Sequence, residues 1–225
     1  MAKPVIVTLD GPAGVGKTTL AQRVAKELGI AYLDTGAMFR TTALELGHDA
    51  DKLPEGEMSE RLNTLHFSLS QEEGESVLRV NKRRIGNEIR TEEVGMMASR
   101  VAVLPTVRTF LRRSQQRLGS EVSLLAEGRD MGTTVFPKAT CKIFLDASAE
   151  VRAKRRFLQL QEMGHDANLE KLAQQIRERD ELDRNRKVAP LRPAKDAVVV
   201  DSSEMGIDEV FQAILAAVHA AVESE

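Results

Sequence analysis

Short β-branched apolar runs alternate along this chain with longer amphipathic stretches. Residues 4–10, Pro-Val-Ile-Val-Thr-Leu-Asp, form one such run, which stops at Gly11-Pro12 and gives way to an amphipathic stretch over 17–28. That pattern predicts strand, glycine loop and helix. Residues 31–34 predict a second short strand, and 36–46 a helix. Phe67 and Leu69, Leu78 and Val80, then Ile85 and Ile89 fall in short segments broken by Glu-Glu-Gly-Glu and by Asn81-Lys82, which predicts a small antiparallel sheet. Over 91–118 two helical patterns meet at Pro105, which sits near the first turn of the second, where its missing N–H costs nothing.

Strand signals return at 123–126, 142–145 and 197–200, each separated from the next by helical material. Strands alternating with helices point to a parallel α/β sheet. Ser148 is the expected N-cap of a helix reaching about residue 163, Asn168 caps a second one extending toward Arg186, and an amphipathic helix over 207–222 closes the pattern. No internal repeat interrupts it.

Composition narrows the class. The 225 residues, 42% apolar and 29% charged, are enough for one globular domain with a sizeable core. The longest unbroken apolar run is six residues, 213–218, too short for a transmembrane helix. Lys3 precedes only a brief apolar stretch, 5–9, which is too short for a signal-peptide core, and the single Cys141 cannot form an internal disulfide. Cytoplasmic residence is therefore expected. With 32 basic against 34 acidic residues, the net charge of −2 argues against coating nucleic acid through bulk electrostatics. Anion binding must come from local arrangement.

Such an arrangement exists. Gly11-Pro12-Ala13-Gly14-Val15-Gly16-Lys17-Thr18 matches G-x-x-x-x-G-K-[ST] at every fixed position, between a predicted strand and a predicted helix. The glycines let successive backbone N–H groups face phosphate oxygens, and the following helix adds its positive end. Lys17, expected in an exposed loop, would reach the β- and γ-phosphates, and Thr18 would hold Mg²⁺. No Asn-Lys-x-Asp motif follows and no apolar run ending in Asp makes a clear second metal motif, so a compact kinase fits better than a GTPase or a motor ATPase.

Five blocks then carry a resemblance. Asp10-Gly-Pro-Ala-Gly-Val-Gly-Lys-Thr-Thr19, Leu33-Asp-Thr-Gly-Ala-Met-Phe-Arg40, Gly128-Arg-Asp-Met-Gly-Thr133, Lys142-Ile-Phe-Leu-Asp-Ala147 and Glu178-Arg-Asp-Glu-Leu-Asp-Arg-Asn-Arg186 together resemble the bacterial cytidylate kinases, in order and over nearly the whole chain. The resemblance implies a single P-loop kinase domain over 1–225, a three-layer α/β sandwich with a five-stranded parallel sheet. It also implies a small antiparallel insert in the monophosphate-binding region at 64–92 and a helical lid at 150–170. The implied reaction moves the γ-phosphoryl of ATP to CMP or dCMP with Mg²⁺, in a monomer that needs neither nucleic acid nor membrane. Four departures stand out: Gly16-Lys17-Thr18-Thr19 where the family more often has Gly-Lys-Gly-Thr, Thr35 for Ser, Phe39 for Tyr, and Glu127 for Asp.

By that resemblance Gly11 through Thr19 bind ATP, and Arg40 and Arg129 bind the acceptor phosphate. Asp183 with Arg179 would contact the ribose, and Ser99, Arg108 and Asp130 would read cytosine, with Thr35, Phe39 and Arg186 also in the acceptor site. Lys17, Arg129, Arg156 and Arg186 would serve the transfer itself. The chemistry agrees, because cytosine offers an N4 amino donor to a carboxylate and N3 and O2 acceptors to an arginine or hydroxyl. An Arg129–Asp130 ion pair is the structural alternative for Asp130. Segment 151–192 carries eight Arg and three Lys against seven acidic residues, a local excess suited to two anionic nucleotides. For Arg152 and Arg177, phosphate contact and ordinary helix-surface pairing both remain open. Lys82-Arg83-Arg84 reads as a solvated hairpin edge, and His48, His66, His165 and His219 are scattered without metal spacing.

Overall fold

The computed structural model describes residues 3–224. In chain order its elements are β1 (Ile6–Asp10), α1 (Lys17–Glu27), β2 (Ala31–Asp34), α2 (Thr35–Leu46), α3 (Glu55–Asn63), β3 (Phe67–Glu72), β4 (Glu75–Val80), β5 (Arg83–Arg84), α4 (Glu92–Val101), α5 (Pro105–Glu121), β6 (Leu124–Gly128), β7 (Cys141–Asp146), α6 (Ala149–Glu162), α7 (Leu169–Asn185), β8 (Val198–Asp201) and α8 (Ile207–Glu223). A five-stranded parallel sheet takes the order β2-β6-β1-β7-β8, and β3-β4-β5 form a separate antiparallel sheet. The chain folds as two compact units. One holds Ile6–Val24 and everything from Glu127 onward; the other holds Ala25–Ala126 with the segment up to Val5.

In the first unit β1 pairs in parallel with β7, Val7 opposite Cys141 and Asp10 opposite Phe144, and β7 pairs with β8, Ile143 opposite Val198. Val7, Thr8 and Leu9 are all fully buried, as expected of a central parallel strand covered on both faces. Helix α8 packs against β7 and β8 with Val210, Phe211, Ile214, Leu215 and Val218. Arg23 of α1 lies 3.9 Å over the Phe211 ring and pairs with Asp208, a cation–π contact reinforced by an ion pair. Ser148 and Asn168 cap α6 and α7 as the sequence predicts, each accepting a hydrogen bond from the backbone N–H three residues on.

The second unit contains the antiparallel insert. Strands β3 and β4 pair with Phe67 opposite Val80, and Phe67 and Val80 both face the core. The third segment differs from expectation. Strand β5 is only Arg83–Arg84, joined to β4 through Asn81 and Lys82, both at positive φ as a type I′ turn requires. Ile85 and Ile89 lie beyond it. Residues 87–90 form a 3₁₀ turn that carries Ile89 into a cluster with Ala37 and Val94, against which Leu78 and Ile85 pack. The apolar pair thus marks a docking contact rather than a strand. Arg83 pairs with Glu45 and Glu88, so the basic triplet lies on a solvated edge among carboxylates. Helix α3 was not visible in the apolar pattern. It buries only Met58 and Leu62, four residues apart in an otherwise polar stretch.

Candidate active site

The glycine loop follows the central strand, and its backbone comes close to a neighbouring strand. A Cβ on Gly11 would lie 2.1 Å from the carbonyl oxygen of Leu145, so no other residue fits there. Lys17 opens α1, and contrary to the expected exposed loop it is only 4% exposed, with Nζ donating to Pro12 O at 2.7 Å. Burial, and next the nearby charge of Arg129, hold its pKa well below the usual lysine range, while Glu127, Asp10 and Asp183 pull the other way. Gly14, Gly16 and Thr19 are exposed and Val15 is buried beneath them.

Thr18 Oγ1 donates to Glu127 Oε1 at 2.8 Å. Glu127 lies near the end of β6, which neighbours β1 in the sheet. It is the acidic end of the apolar run Leu124-Leu125-Ala126, which does not match the run ending in Asp sought in the sequence because it closes on Glu. A hydroxyl and a carboxylate oxygen this close, half-buried, suit a hard cation that completes its shell with water and substrate phosphates. Among the described residues no group of three His, Cys, Asp or Glu could hold a metal by itself.

Arg152 is another departure from the sequence reading. It is not the helix-surface residue that ordinary pairing would make it: at 2% exposure it is the largest fully buried side chain among the described residues. Its guanidinium donates to Ala147 O and to Ala13 O, both at 3.0 Å, and forms a bidentate pair with Asp180 of α7. Arg177 pairs with Glu150 at 2.9 Å on the exposed surface.

Four of the expected acceptor residues meet in this unit. Arg129 Nε donates to Asp183 Oδ2 at 3.1 Å, and Arg186 reaches Asp130 at 3.5 Å and Asp183 at 4.0 Å. Asp130 is thus linked to Arg186, in place of the Arg129–Asp130 pair that was the structural alternative. Residues 131–135 form one turn of π-helix, an element the sequence did not suggest, and its first two N–H groups, Met131 and Gly132, donate to Asp10 at 2.9 and 2.8 Å. Arg179 and Arg156 are both exposed, and Arg156 bonds Gln159 at 2.8 Å on its own helix.

Thr35, Phe39, Arg40, Ser99 and Arg108, also expected at the acceptor, belong to the other unit. Asp34 caps α2 by accepting from Ala37 N at 2.8 Å, and this helix carries Thr35, Phe39 and Arg40. Thr35 is buried; Phe39 and Arg40 are half-buried. Arg108 lies 5.8 Å over the Phe39 ring and donates to Ala102 O at the end of α4, the helix that carries Ser99. Ser99 is exposed, its hydroxyl turned back to Gly95 O at 3.0 Å. An aromatic face beside a guanidinium is a platform for a flat base.

The family model for cytidylate kinase matches residues 7–220. The chain belongs to the cytidylate kinase family. It is 60% identical to a cytidylate kinase of Nitratidesulfovibrio vulgaris strain Hildenborough over 93% of this chain and 90% of that one. It is 56% identical to a cytidylate kinase of Oleidesulfovibrio alaskensis over 96% of this chain and 98% of that one. A solved structure of an uncharacterized protein from Eubacterium ventriosum is similar over 96% of this chain and 99% of that one, with TM-score 0.52 and 10% identity, a likeness of fold alone. In this cytidylate kinase family member, no helix of the described residues is long and apolar enough to cross a membrane.

Proposed function

We propose that this chain is an ATP-dependent kinase of CMP and dCMP, moving the γ-phosphoryl of ATP to the acceptor phosphate by direct in-line transfer. The single observation that carries the reading is the family match over residues 7–220, which includes both the phosphate loop and the acceptor cluster. Each group then has a task. The loop amides and Lys17 hold the donor phosphates, and a rotation of Lys17 Nζ away from Pro12 O delivers its charge to them. Thr18 and Glu127 would hold Mg²⁺, which when bound neutralises charge between the β- and γ-phosphates.

Arg129 and Arg40 position the acceptor phosphate, Asp183 with Arg179 the ribose, and Asp130, Arg108 and Ser99 the base. Thr35 and Phe39 complete the acceptor site, and Arg186 and Arg156 face the charge on the phosphoryl group in flight. Segment 64–92 serves the monophosphate side. Segment 150–170 acts as a lid whose moving part begins beyond the anchored Arg152 and turns at Gly164, a residue at positive φ. The protein acts as a cytoplasmic monomer on small nucleotides. Two oxygens exchange a phosphoryl group directly, so no covalent enzyme intermediate is needed.

The test is a coupled ADP-release assay with CMP, dCMP, UMP, AMP and shikimate as acceptors. CMP and dCMP should turn over far faster than the rest. Faster turnover of AMP or shikimate would overturn the assignment, and no turnover of any acceptor would leave a nucleotide-binding module in its place.

A further inference from the structure

Asp10 closes β1 immediately before the glycine loop, and it is 4% exposed. Its carboxylate points at neither solvent nor the loop's own amides. Instead each oxygen accepts one backbone N–H from the π-turn: Oδ1 from Met131 at 2.9 Å and Oδ2 from Gly132 at 2.8 Å. These are the first N–H groups of a helical turn, which have no acceptor within the turn itself. The later ones do, since Thr134 N and Val135 N both donate to Asp130 O, at 2.9 and 3.2 Å.

The turn packs closely against the sheet at Gly132. A Cβ on Gly132 would lie 3.0 Å from Thr8 Oγ1 of β1 and 3.3 Å from Lys142 Cδ of β7. Lys142 is itself fixed by Pro137 O and Asp196, both at 2.6 Å. The two residues that precede the turn are Arg129 and Asp130. We propose that Asp10 is a positioning residue for the acceptor, its two oxygens setting the place from which Arg129 and Asp130 meet CMP. The inference rests on the reading of those two residues given above.

Charge supports the geometry. Burial raises the Asp10 pKa to about 6, opposed by the N–H groups of Gly132 and Met131, with Asp130 raising it further and Lys17 lowering it. Lys17 from α1, Asp130 from the residue before the turn, and Lys142 from β7 beside Gly132 are the charged groups that face this corner. A protonated Asp10 has only one oxygen free to accept without turning a donor toward an N–H, so acid loosens the turn.

Asp10→Asn tests this. It keeps the shape but sets an NH₂ against a backbone N–H. KM for CMP should rise about tenfold and the CMP-over-UMP ratio of kcat/KM should fall about fivefold, while KM for ATP changes less than about twofold. In the wild-type enzyme the same ratio should fall as pH drops through about 6. Both nucleotides carry the same phosphate, so its own titration cancels in the ratio. In Asp10→Asn the ratio should be flat with pH.

A KM for CMP and a ratio both within about twofold of wild type would overturn the proposal, as would equal losses for ATP and CMP. If the variant does not fold, the wild-type pH profile decides: a flat ratio overturns the proposal. Asp130→Asn is the parallel arm. An unchanged ratio there defeats base reading by Asp130, and Asp10 is then judged on KM for CMP alone, through Arg129.

Discussion

Thr18 Oγ1 and Glu127 Oε1 are 2.8 Å apart, which joins the first turn of α1 to the last residues of β6. Glu127→Gln keeps a hydrogen-bond acceptor for Thr18 and removes the negative charge. The Mg²⁺ concentration for half-maximal activity should rise roughly tenfold, with the fold intact. A titration of rate against Mg²⁺ checks this; an unchanged midpoint would assign Glu127 to the orientation of Thr18 alone.

Lys17→Met should lower the transfer rate by more than about 100-fold, because a charge on the phosphoryl oxygens is lost. Stability should hold or rise. Burial lowers the Lys17 pKa below its unfolded value, so at neutral pH the protonated side chain costs folding free energy that a neutral one does not. Urea unfolding and single-turnover kinetics on the same protein separate the two effects. A marked loss of stability would contradict the sign.

Arg152→Ala should cost about 3–5 kcal/mol, since it strands Asp180 and two backbone carbonyls without their donor. Replacing Arg152 and Asp180 together should cost less than the sum of the single changes. Denaturant midpoints for the two single variants and the double variant give the coupling directly, and strict additivity would mean that the pair contributes nothing.

Asp130→Asn should relax base choice more than it slows the best substrate. The carboxylate can only accept, from the cytosine amino group, while an amide can also donate to uracil O4. The CMP-over-UMP ratio of kcat/KM should fall roughly tenfold, about 1.4 kcal/mol of discrimination. Equal losses for both bases would transfer base reading to Arg108 and Ser99.

Asp10 also links stability to pH. Its folded pKa, about 6, lies above the ordinary 3.8, so the folded protein holds this proton in a window where the unfolded chain has released it. Its contribution to stability therefore increases as pH falls from about 6 toward 4 and reaches roughly 3 kcal/mol. The stability difference between wild type and Asp10→Asn, followed by urea unfolding across that range, should show this slope; a constant difference would refute it.

Much of the scaffold was legible because its signals are local. Strand β1, the loop and α1 are announced by a motif in its required context, Pro105 marks the start of α5, and Ser148 and Asn168 mark the starts of α6 and α7. What was missed depends on distant partners. Arg152 sits among charged residues on an ordinary-looking helix, and its burial is decided by Asp180 and by a carbonyl at Ala13. The π-turn is held by an aspartate more than a hundred residues earlier, so nothing in Met-Gly-Thr-Thr-Val declares it. Lys17 looked exposed because loops usually are; its contact with Pro12 O depends on a backbone path that composition does not encode.

The carbonyl of Ala13 is held by Arg152, and that of Pro12 by Lys17. In a planar peptide unit the N–H points opposite the C=O. Fixing the Ala13 carbonyl therefore fixes the direction of the Gly14 N–H, which belongs to the same plane. One amide of the loop is thus aimed while the chain folds, by a buried side chain outside the loop. The entropy of ordering that amide is lost in folding instead of in binding, so this part of the loop is preorganised for the triphosphate that the proposed function assigns to it. Its affinity is then governed as much by the rigidity beneath the loop as by the charges above it.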